Sequence, residues 1–227
     1  MTQLEAVLFD MDGTLVDTEP LWCESETRTM AKFGYPWTES DRQATVGGPI
    51  GRVLAYMEPL AQAPADEIRA VLVAEIEQLV AERPILVQPG VRQLHGAVRD
   101  AGLPVGLASN SWRSLMDVVL RKCGMTFDAS VAGDENSANK PSPEPYLHWC
   151  RLLGVSPLRS VVIEDSEMGV RSGTAAGSAL VAVPEIADKL APAPGRLVVR
   201  SLVGVTVDDL RELMASHIER GASTPQG

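Results

Sequence analysis

Residues 7–14 read Val-Leu-Phe-Asp-Met-Asp-Gly-Thr, an apolar run that ends in two carboxylates, Asp10 and Asp12. Such a run can be buried on both faces, as a central strand of a parallel sheet is. The acids must leave the core at its carboxyl end, where open α/β sheets bind ligands. If the chain stays extended, both carboxylates project the same way and repel each other unless a cation or a shared proton separates them. This favours Mg²⁺, and the alternative is that both acids cap the turn at Gly13.

Apolar, β-branched runs recur further along the chain and alternate with segments of helical periodicity. Gly102, Gly124 and Gly154 mark helix ends, and Ser142 as cap with Pro143 at the first position marks a helix start. The alternation predicts an α/β fold, a parallel sheet with helices on both faces. The predicted strands are residues 6–9, 104–108, 130–132, 160–163, 179–183 and 197–199, and a last helix is predicted over about residues 206–220.

The long interval between the first two predicted strands has helical periodicity and no convincing strand. Ile68, Leu72 and Ile76 fall on one face of a segment rich in Ala and Glu. Because the interval is too long for a simple crossover, we predict a core domain of residues 1–15 and 87–227 and an all-helical inserted domain of residues 16–86. The insertion is either a lid over the acidic turn or a helical decoration without a catalytic role.

Composition limits the partners and the compartment. The formal net charge of −10 over 227 residues argues against nucleic acid or an anionic membrane as the main partner. A small phosphorylated ligand is compatible with it, because such binding depends on the local field. The three cysteines lack the spacing of a disulfide framework or a zinc site. With no targeting or membrane-spanning segment and no protein partner evident, we expect a cytoplasmic protein.

Further polar residues occur where later strands end or helices begin. Ser109 and Asn110 follow a strand, a position that offers hydroxyls and backbone amides to an anion. Lys140 precedes a helix start, and the pair Glu164 and Asp165 repeats the opening design of an apolar strand that ends in acids. Taken singly, a serine here is more often a helix cap and a loop lysine a solvated charge.

Together these residues predict a site for a phosphoryl group beside Mg²⁺. Carboxylates from two strands converge at one sheet edge only if positive charge lies among them, because repulsion would otherwise raise their pKa values. Ser109 and Lys140 would then hold phosphoryl oxygens next to the cation. Phosphoryl transfer needs an in-line nucleophile, charge stabilisation and a proton donor, and a carboxylate is an adequate nucleophile.

Four motifs, in this order, resemble those of the haloacid-dehalogenase-like phosphohydrolases. They are DMDGT at 10–14, Ser109-Asn110, Lys140-Pro141 and Glu164-Asp165. The resemblance covers residues 8 to about 184 and implies a Rossmann-like core with an inserted helical cap. It also implies that Asp10 is the nucleophile that forms an aspartyl-phosphate, and that Asp12 is the acid and base that protonates the leaving alcohol and activates water.

The same resemblance implies two sets of binding groups. The groups that would hold Mg²⁺ are Asp10, Asp165 and the backbone carbonyl of Asp12, with Glu164 beside them directly or through water. The groups that would hold the phosphoryl oxygens are Ser109, the backbone amide of Asn110 and Lys140.

The segment Asp17-Thr-Glu-Pro-Leu-Trp is similar to the small-cap branch that contains β-phosphoglucomutase and sugar-phosphate phosphatases. Within that branch, hexitol and 2-deoxyglucose-6-phosphate phosphatases share the Pro-Leu-Trp. The mutases place a histidine where this chain has Trp22 and an arginine near position 50, where it offers only Arg52. Thr18, Trp22 and Arg52 are candidate substrate contacts, with Trp22 equally a candidate core aromatic. The glycines at 47, 48 and 51 indicate a loop facing the site, since they follow no strand.

The predicted function is Mg²⁺-dependent hydrolysis of a phosphomonoester of a small metabolite, a hexose or hexitol phosphate. A β-phosphoglucomutase-type mutase is the first alternative. A receiver-type phosphoacceptor domain is disfavoured because receivers carry no helical insertion after the first strand. A hydrolytic dehalogenase is disfavoured because its chemistry presents no phosphoryl charge for a cation to neutralise.

Overall fold

The computed structural model describes residues 4–45, 50–183 and 190–222. The chain divides into two compact units, one of Met1–Asp17 with Leu86–Gly227 and one of Thr18–Ile85. In the part of the chain that is described, no helix combines the length and the apolar composition needed to cross a membrane. The glycines at 47 and 48, predicted to lie in a loop, fall outside the described residues.

The first unit is built on a six-stranded sheet. The strands in the described part of the chain are β1 (Ala6–Phe9), β2 (Val16–Asp17), β3 (Leu86–Val87), β4 (Val105–Ala108), β5 (Ala129–Val131), β6 (Ser160–Glu164), β7 (Ala179–Ala182) and β8 (Arg196–Val198). The order across the large sheet is β5-β4-β1-β6-β7-β8, and every pairing in it is parallel. The predicted α/β fold with a parallel sheet is confirmed.

The helices divide between the two units. Among the described residues, those of the first unit are α5 (Val91–Asp100), α6 (Arg113–Cys123), α7 (Glu144–Leu153), α8 (Glu167–Ala176) and α9 (Val207–Ala222), and those of the second are α1 (Glu19–Lys32), α2 (Glu39–Thr45), α3 (Ile50–Ala61) and α4 (Ala65–Glu82). Helix α7 starts one residue later than the sequence indicates, with Pro143 as its cap residue. The Ser142 hydroxyl still accepts a hydrogen bond from the Glu144 amide, at 3.3 Å.

Strand β1 occupies the position that decides where a ligand can bind. It lies between β4 and β6, with Val7 in register with Val105 and Val161, and its four residues are fully buried. β4 lies on one side of β1 and β6 on the other, so the strand order reverses direction at β1. The carboxyl end of β1 therefore lies at the topological switch point of the sheet. Ligands of open α/β sheets bind at such a point.

Close packing fixes helix α7 against the sheet. A Cβ at Gly106 in β4 would lie 2.0 Å from the Trp149 ring, so only glycine lets the ring approach the strand. The Trp149 indole donates a hydrogen bond to the Ala129 carbonyl at 2.8 Å. The indole N–H therefore remains satisfied although the side chain is fully buried.

The chain leaves and re-enters the first unit through the antiparallel pair β2 and β3. Val16 pairs with Val87 and Asp17 with Leu86. The Gln88 side chain adds a hydrogen bond to the Gly13 carbonyl at 3.0 Å. The sequence predicted no strand in residues 16–86, because strands of two residues are too short to show a period-two pattern.

The helical unit has an apolar core of its own, which includes Met30, Met57, Ile68 and Leu72. The predicted apolar face of residues 68–80 is buried in α4. A buried carboxyl also lies in this unit: Glu26 on α1 accepts a hydrogen bond from the Thr45 hydroxyl at 3.3 Å. Burial raises the pKa of Glu26 to about 7, because the charged form loses its hydration.

We expect Glu26→Gln to stabilise the protein at pH 8 and to do so much less at pH 5. Folding raises the pKa of Glu26 from 4.5 to about 7. Between these two pH values the native state therefore binds a proton that the unfolded state has lost. The free energy of unfolding therefore falls as the pH rises through this range. Removing the ionisable group should raise that free energy by about 1–2 kcal/mol at pH 8, allowing for partial solvent screening.

Denaturant unfolding followed by circular dichroism at the two pH values measures this difference. Glu58→Gln, at an exposed position of α3, is the matched control and should change little at either pH. An equal effect of Glu26→Gln at both pH values would contradict the account.

Candidate active site

Three carboxylates meet at the carboxyl edge of the sheet. Asp10 directly follows β1, Glu164 is the last residue of β6, and Asp165 follows it. One oxygen of each lies within 4.8 Å of the others, and all three side chains are buried. The neighbouring positions of β1 and β6 bring these acids together, since parallel strands end at the same edge.

The ammonium of Lys140 lies among these acids. Its Nζ donates to Asp10 Oδ1 at 2.5 Å, to Glu164 Oε1 at 2.6 Å and to the Ala108 carbonyl at 2.8 Å. Burial alone would lower the pKa of Lys140, but the carboxylates of Asp10 and Glu164 outweigh it and raise that pKa above its ordinary value. Lys140 is therefore a buried cation and not a solvated loop charge.

The Asn110 side chain holds the backbone of Lys140 from both sides. Asn110 Oδ1 accepts from the Lys140 amide at 2.9 Å, and Asn110 Nδ2 donates to the Lys140 carbonyl at 3.2 Å. The loop before α7 is thereby fixed to the end of β4. The sequence predicted a role for the backbone amide of Asn110 and did not foresee this second role of its side chain.

The carboxylate of Asp12 has partners different from those of Asp10. Asp12 Oδ2 accepts hydrogen bonds from the Ser109 hydroxyl at 3.1 Å and from the Ser111 hydroxyl at 2.7 Å. Strand β1 ends at Phe9, so the period-two alternation that would give both acids one direction does not continue through Asp12. Ser111 thus contributes to the site in addition to the predicted Ser109.

Asp165 fits closely against the turn that follows β1. The Thr14 hydroxyl donates to Asp165 Oδ1 at 3.1 Å. Gly13 has a φ of +87°, and a Cβ there would lie 2.0 Å from Asp165 Oδ2. Only glycine provides both the backbone conformation and the space, so the first and last motifs require each other.

Glu164 is fully buried, and both of its carboxylate oxygens accept hydrogen bonds from the protein. Oε1 accepts from Lys140 and from the Tyr146 hydroxyl, the latter at 2.5 Å, and Oε2 accepts from the Ser166 hydroxyl at 3.1 Å. Tyr146 was not singled out from the sequence, where a tyrosine on the buried face of a helix indicates a core residue. These contacts fix the carboxylate of Glu164 in a position where it accepts a hydrogen bond from the Lys140 ammonium.

The donor set fits a hard divalent cation. Burial raises the pKa of Asp10 above its ordinary value, and Lys140 opposes this shift. One ammonium does not balance the three carboxylates of Asp10, Glu164 and Asp165. A cation with oxygen ligands would stabilise their charged forms, and Mg²⁺ prefers such ligands.

The three predicted substrate contacts lie in the helical unit. Thr18 is buried, and Trp22 is half-buried and packs against the apolar core of that unit. The Arg52 guanidinium donates to the Thr45 carbonyl at 3.3 Å, at the end of α2. Their roles toward a substrate remain predictions.

Comparisons with known proteins identify the family of the chain. Residues 7–183 match the profile of the haloacid dehalogenase-like hydrolase family, and the chain belongs to that family. The predicted membership is confirmed.

Individual relatives are similar over most of their length. The chain is 36% identical over 189 residues to hexitol phosphatase B of Escherichia coli K12, covering 80% of this chain and 84% of that protein. It is 35% identical over 177 residues to a phosphorylated carbohydrates phosphatase of Thermotoga maritima, covering 77% and 82%. The crystal structure of CbbY from Rhodobacter sphaeroides in complex with phosphate superposes with a TM-score of 0.79 at 28% identity, covering 92% of this chain and all of that one.

Proposed function

We propose that the protein is a Mg²⁺-dependent phosphatase that hydrolyses a sugar or sugar-alcohol phosphate through an aspartyl-phosphate. The observation that carries this proposal is the contact between Asp10 and Lys140, within a group of buried acids at the switch point of the sheet. A nucleophilic carboxylate, a cation beside it and a second carboxylate with separate partners are the groups that phosphoryl transfer requires.

Asp10 attacks the phosphorus, and the alcohol leaves as the aspartyl-phosphate forms. Its Oδ1 accepts from Lys140, which favours the deprotonated carboxylate against the effect of burial and fixes its direction. Lys140 also offsets the negative charge that an incoming phosphoryl group brings to a site of carboxylates. The backbone amide of Asn110 binds a phosphoryl oxygen at the end of β4. The hydroxyl of Ser109 binds another by exchanging its hydrogen bond to Asp12 for one to phosphate, and Ser111 then holds Asp12.

Asp12 moves the proton. It protonates the oxygen of the departing alcohol and then accepts a proton from the water that hydrolyses the aspartyl-phosphate. The hydroxyls of Ser109 and Ser111 hold its Oδ2 and so fix the orientation of the carboxyl group. Because Asp10 and Asp12 have different partners, one residue can attack while the other transfers a proton.

Asp10, Asp165 and the backbone carbonyl of Asp12 would hold Mg²⁺. When bound, the ion supplies charge neutralisation for the phosphoryl oxygens and for the crowded acids. We assign Glu164 to the support of Lys140, with any contact to the ion made through water, because its two oxygens already accept hydrogen bonds from Lys140, Tyr146 and Ser166.

The names of the relatives and the sequence around Arg52 support the proposed substrate class. Hexitol phosphatase B and the phosphorylated carbohydrates phosphatase are named for sugar-derived phosphates. A mutase must hold a second phosphate, and residues 44–60 contain one basic residue, Arg52. A hexose or hexitol monophosphate is therefore favoured over a bisphosphate.

We expect the native chain to release inorganic phosphate from hexose and hexitol phosphates with Mg²⁺ and to stop when EDTA is added. Asp10→Asn should reduce kcat by roughly 10³-fold or more, because an amide is not a nucleophile toward phosphorus. A phosphate-release assay over a panel of sugar phosphates measures both effects.

The matched control is Asp100→Asn, which makes the same chemical change at an exposed position at the end of α5 and should leave kcat unchanged. Turnover that persists in Asp10→Asn, or in excess EDTA, would overturn the mechanism.

Asp12→Ala should reduce kcat by about 10²–10⁴-fold through the loss of acid and base catalysis. Its affinity for Mg²⁺ should stay within about threefold of the native value, because only the backbone carbonyl of Asp12 is assigned to the ion. Calorimetric titration with Mg²⁺, beside the kinetic assay, separates the two roles. A loss of Mg²⁺ binding that parallels the loss of kcat would show that the side chain serves the metal instead.

A further inference from the structure

We propose that Tyr146 is a positioning residue of the phosphoryl site, whose hydroxyl shares the carboxylate of Glu164 with Lys140 and so leaves the ammonium available to Asp10 and to phosphate. This inference rests on the proposed function and adds a residue to it. Tyr146 lies on α7, whereas Glu164 is the last residue of β6 and Lys140 lies in the loop before α7.

The contacts of Tyr146 are of two kinds. Its ring is fully buried in the apolar cluster that contains Leu8, Val162 and Trp149, so packing accounts for the ring. Its hydroxyl donates to Glu164 Oε1, and the Lys140 ammonium lies 4.9 Å from the ring centroid. A phenylalanine would fill the same volume and keep the face that the ammonium meets. Packing alone therefore does not require the hydroxyl.

Glu164 has little freedom to move. Its Oε2 accepts from the Ser166 hydroxyl, and a Cβ at Gly169 would lie 1.8 Å from its carboxyl carbon. The α8 backbone thus lies directly against the carboxylate. Glu164 Oε1 is the atom that Lys140 and Tyr146 share.

Several acceptors compete for the ammonium of Lys140. An ammonium has three N–H groups, and those of Lys140 point to Asp10, Glu164 and the Ala108 carbonyl. A phosphoryl oxygen can bind Lys140 only by taking a share of one of these hydrogen bonds. The Tyr146 hydroxyl occupies part of the acceptor capacity of Glu164 Oε1 and thereby weakens the hold of Glu164 on the ammonium. Without it, Lys140 would be held more tightly by Glu164 and less by Asp10.

The test is Tyr146→Phe in the full-length, Mg²⁺-loaded enzyme, assayed with the sugar phosphate that the native chain hydrolyses. We expect kcat/KM to fall about tenfold and the inhibition constant of inorganic phosphate to rise by a similar factor, as for the loss of a hydrogen bond to a charged group. The inhibition constant does not depend on the concentration of active enzyme, so it stays informative if part of the variant is unfolded.

Tyr56→Phe is the matched control. The Tyr56 hydroxyl also donates to a carboxylate, Asp41 Oδ1 at 2.8 Å, but in the helical unit. Its removal should leave kcat/KM and the phosphate inhibition constant within twofold of native. Thermal unfolding of both variants shows how much each loses in stability alone.

A double-mutant cycle with Glu164→Gln identifies the route of the effect. If Tyr146 acts through Glu164, adding Tyr146→Phe to Glu164→Gln should change kcat/KM by less than twofold, since the shared carboxylate is already gone. Additive losses would overturn the proposal, as would a Tyr146→Phe enzyme with native kcat/KM and phosphate affinity. If the native chain releases no phosphate, the proposed function fails first and this inference fails with it; a native enzyme that is active beside an unaffected variant refutes this inference alone.

Discussion

The burial of one ammonium among carboxylates is the constraint on which the rest of the site depends. Lys140 is 6% exposed and donates to Asp10, Glu164 and a backbone carbonyl. An unpaired buried charge is costly, and so is a group of buried carboxylates. Each therefore requires the other, and the excess of negative charge provides the place for a divalent cation. Removing either partner would leave the other charge buried without compensation.

The fold supplies this arrangement by bringing separate chain segments to one edge. β1 and β6 are neighbours, so the acids that follow them meet, and β4 on the other side of β1 brings Asn110 to the loop that carries Lys140. Glycines then permit close approach: Gly13 leaves room for Asp165, and Gly169 leaves room for Glu164. Hydrogen bonds also join Lys140 to Asp10 and Glu164, so residues that are far apart in the sequence are held in fixed positions relative to one another.

The sequence predicted the parts of the site that depend on chain order and strand ends. The apolar run before Asp10 and the one that ends at Glu164 correspond to β1 and β6, because buried parallel strands have a continuous apolar signature. It did not predict the pair β2 and β3, since two-residue strands carry no period. It predicted Ser142 as the N-cap of α7, whereas Pro143 is the cap residue. The Ser142 hydroxyl accepts a hydrogen bond from the Glu144 amide.

The hydrogen-bond partners of the side chains could not be predicted from the sequence, for a different reason. The hydrogen bond from Tyr146 to Glu164 Oε1 depends on side-chain rotamers and on the distance between elements that are far apart in the chain. The same holds for the two hydrogen bonds between the Asn110 side chain and the backbone of Lys140. The different partners of Asp10 and Asp12 arise because the strand stops at Phe9, and strand ends are set by tertiary pairing. Tyr146 carries a helical, apolar signature that gives no indication of its hydroxyl's partner.

In the proposed mechanism, Asp10 carries the phosphoryl group during turnover. The direct measurement is to mix the Mg²⁺-loaded enzyme with an excess of its sugar phosphate, quench in acid during turnover, reduce with borohydride and sequence the peptides by mass spectrometry. An acyl-phosphate is reduced to an alcohol, whereas a free carboxylate is not, so the account predicts homoserine at position 10. Turnover with no reduced residue at position 10, or with the reduced residue at another acid, would contradict it.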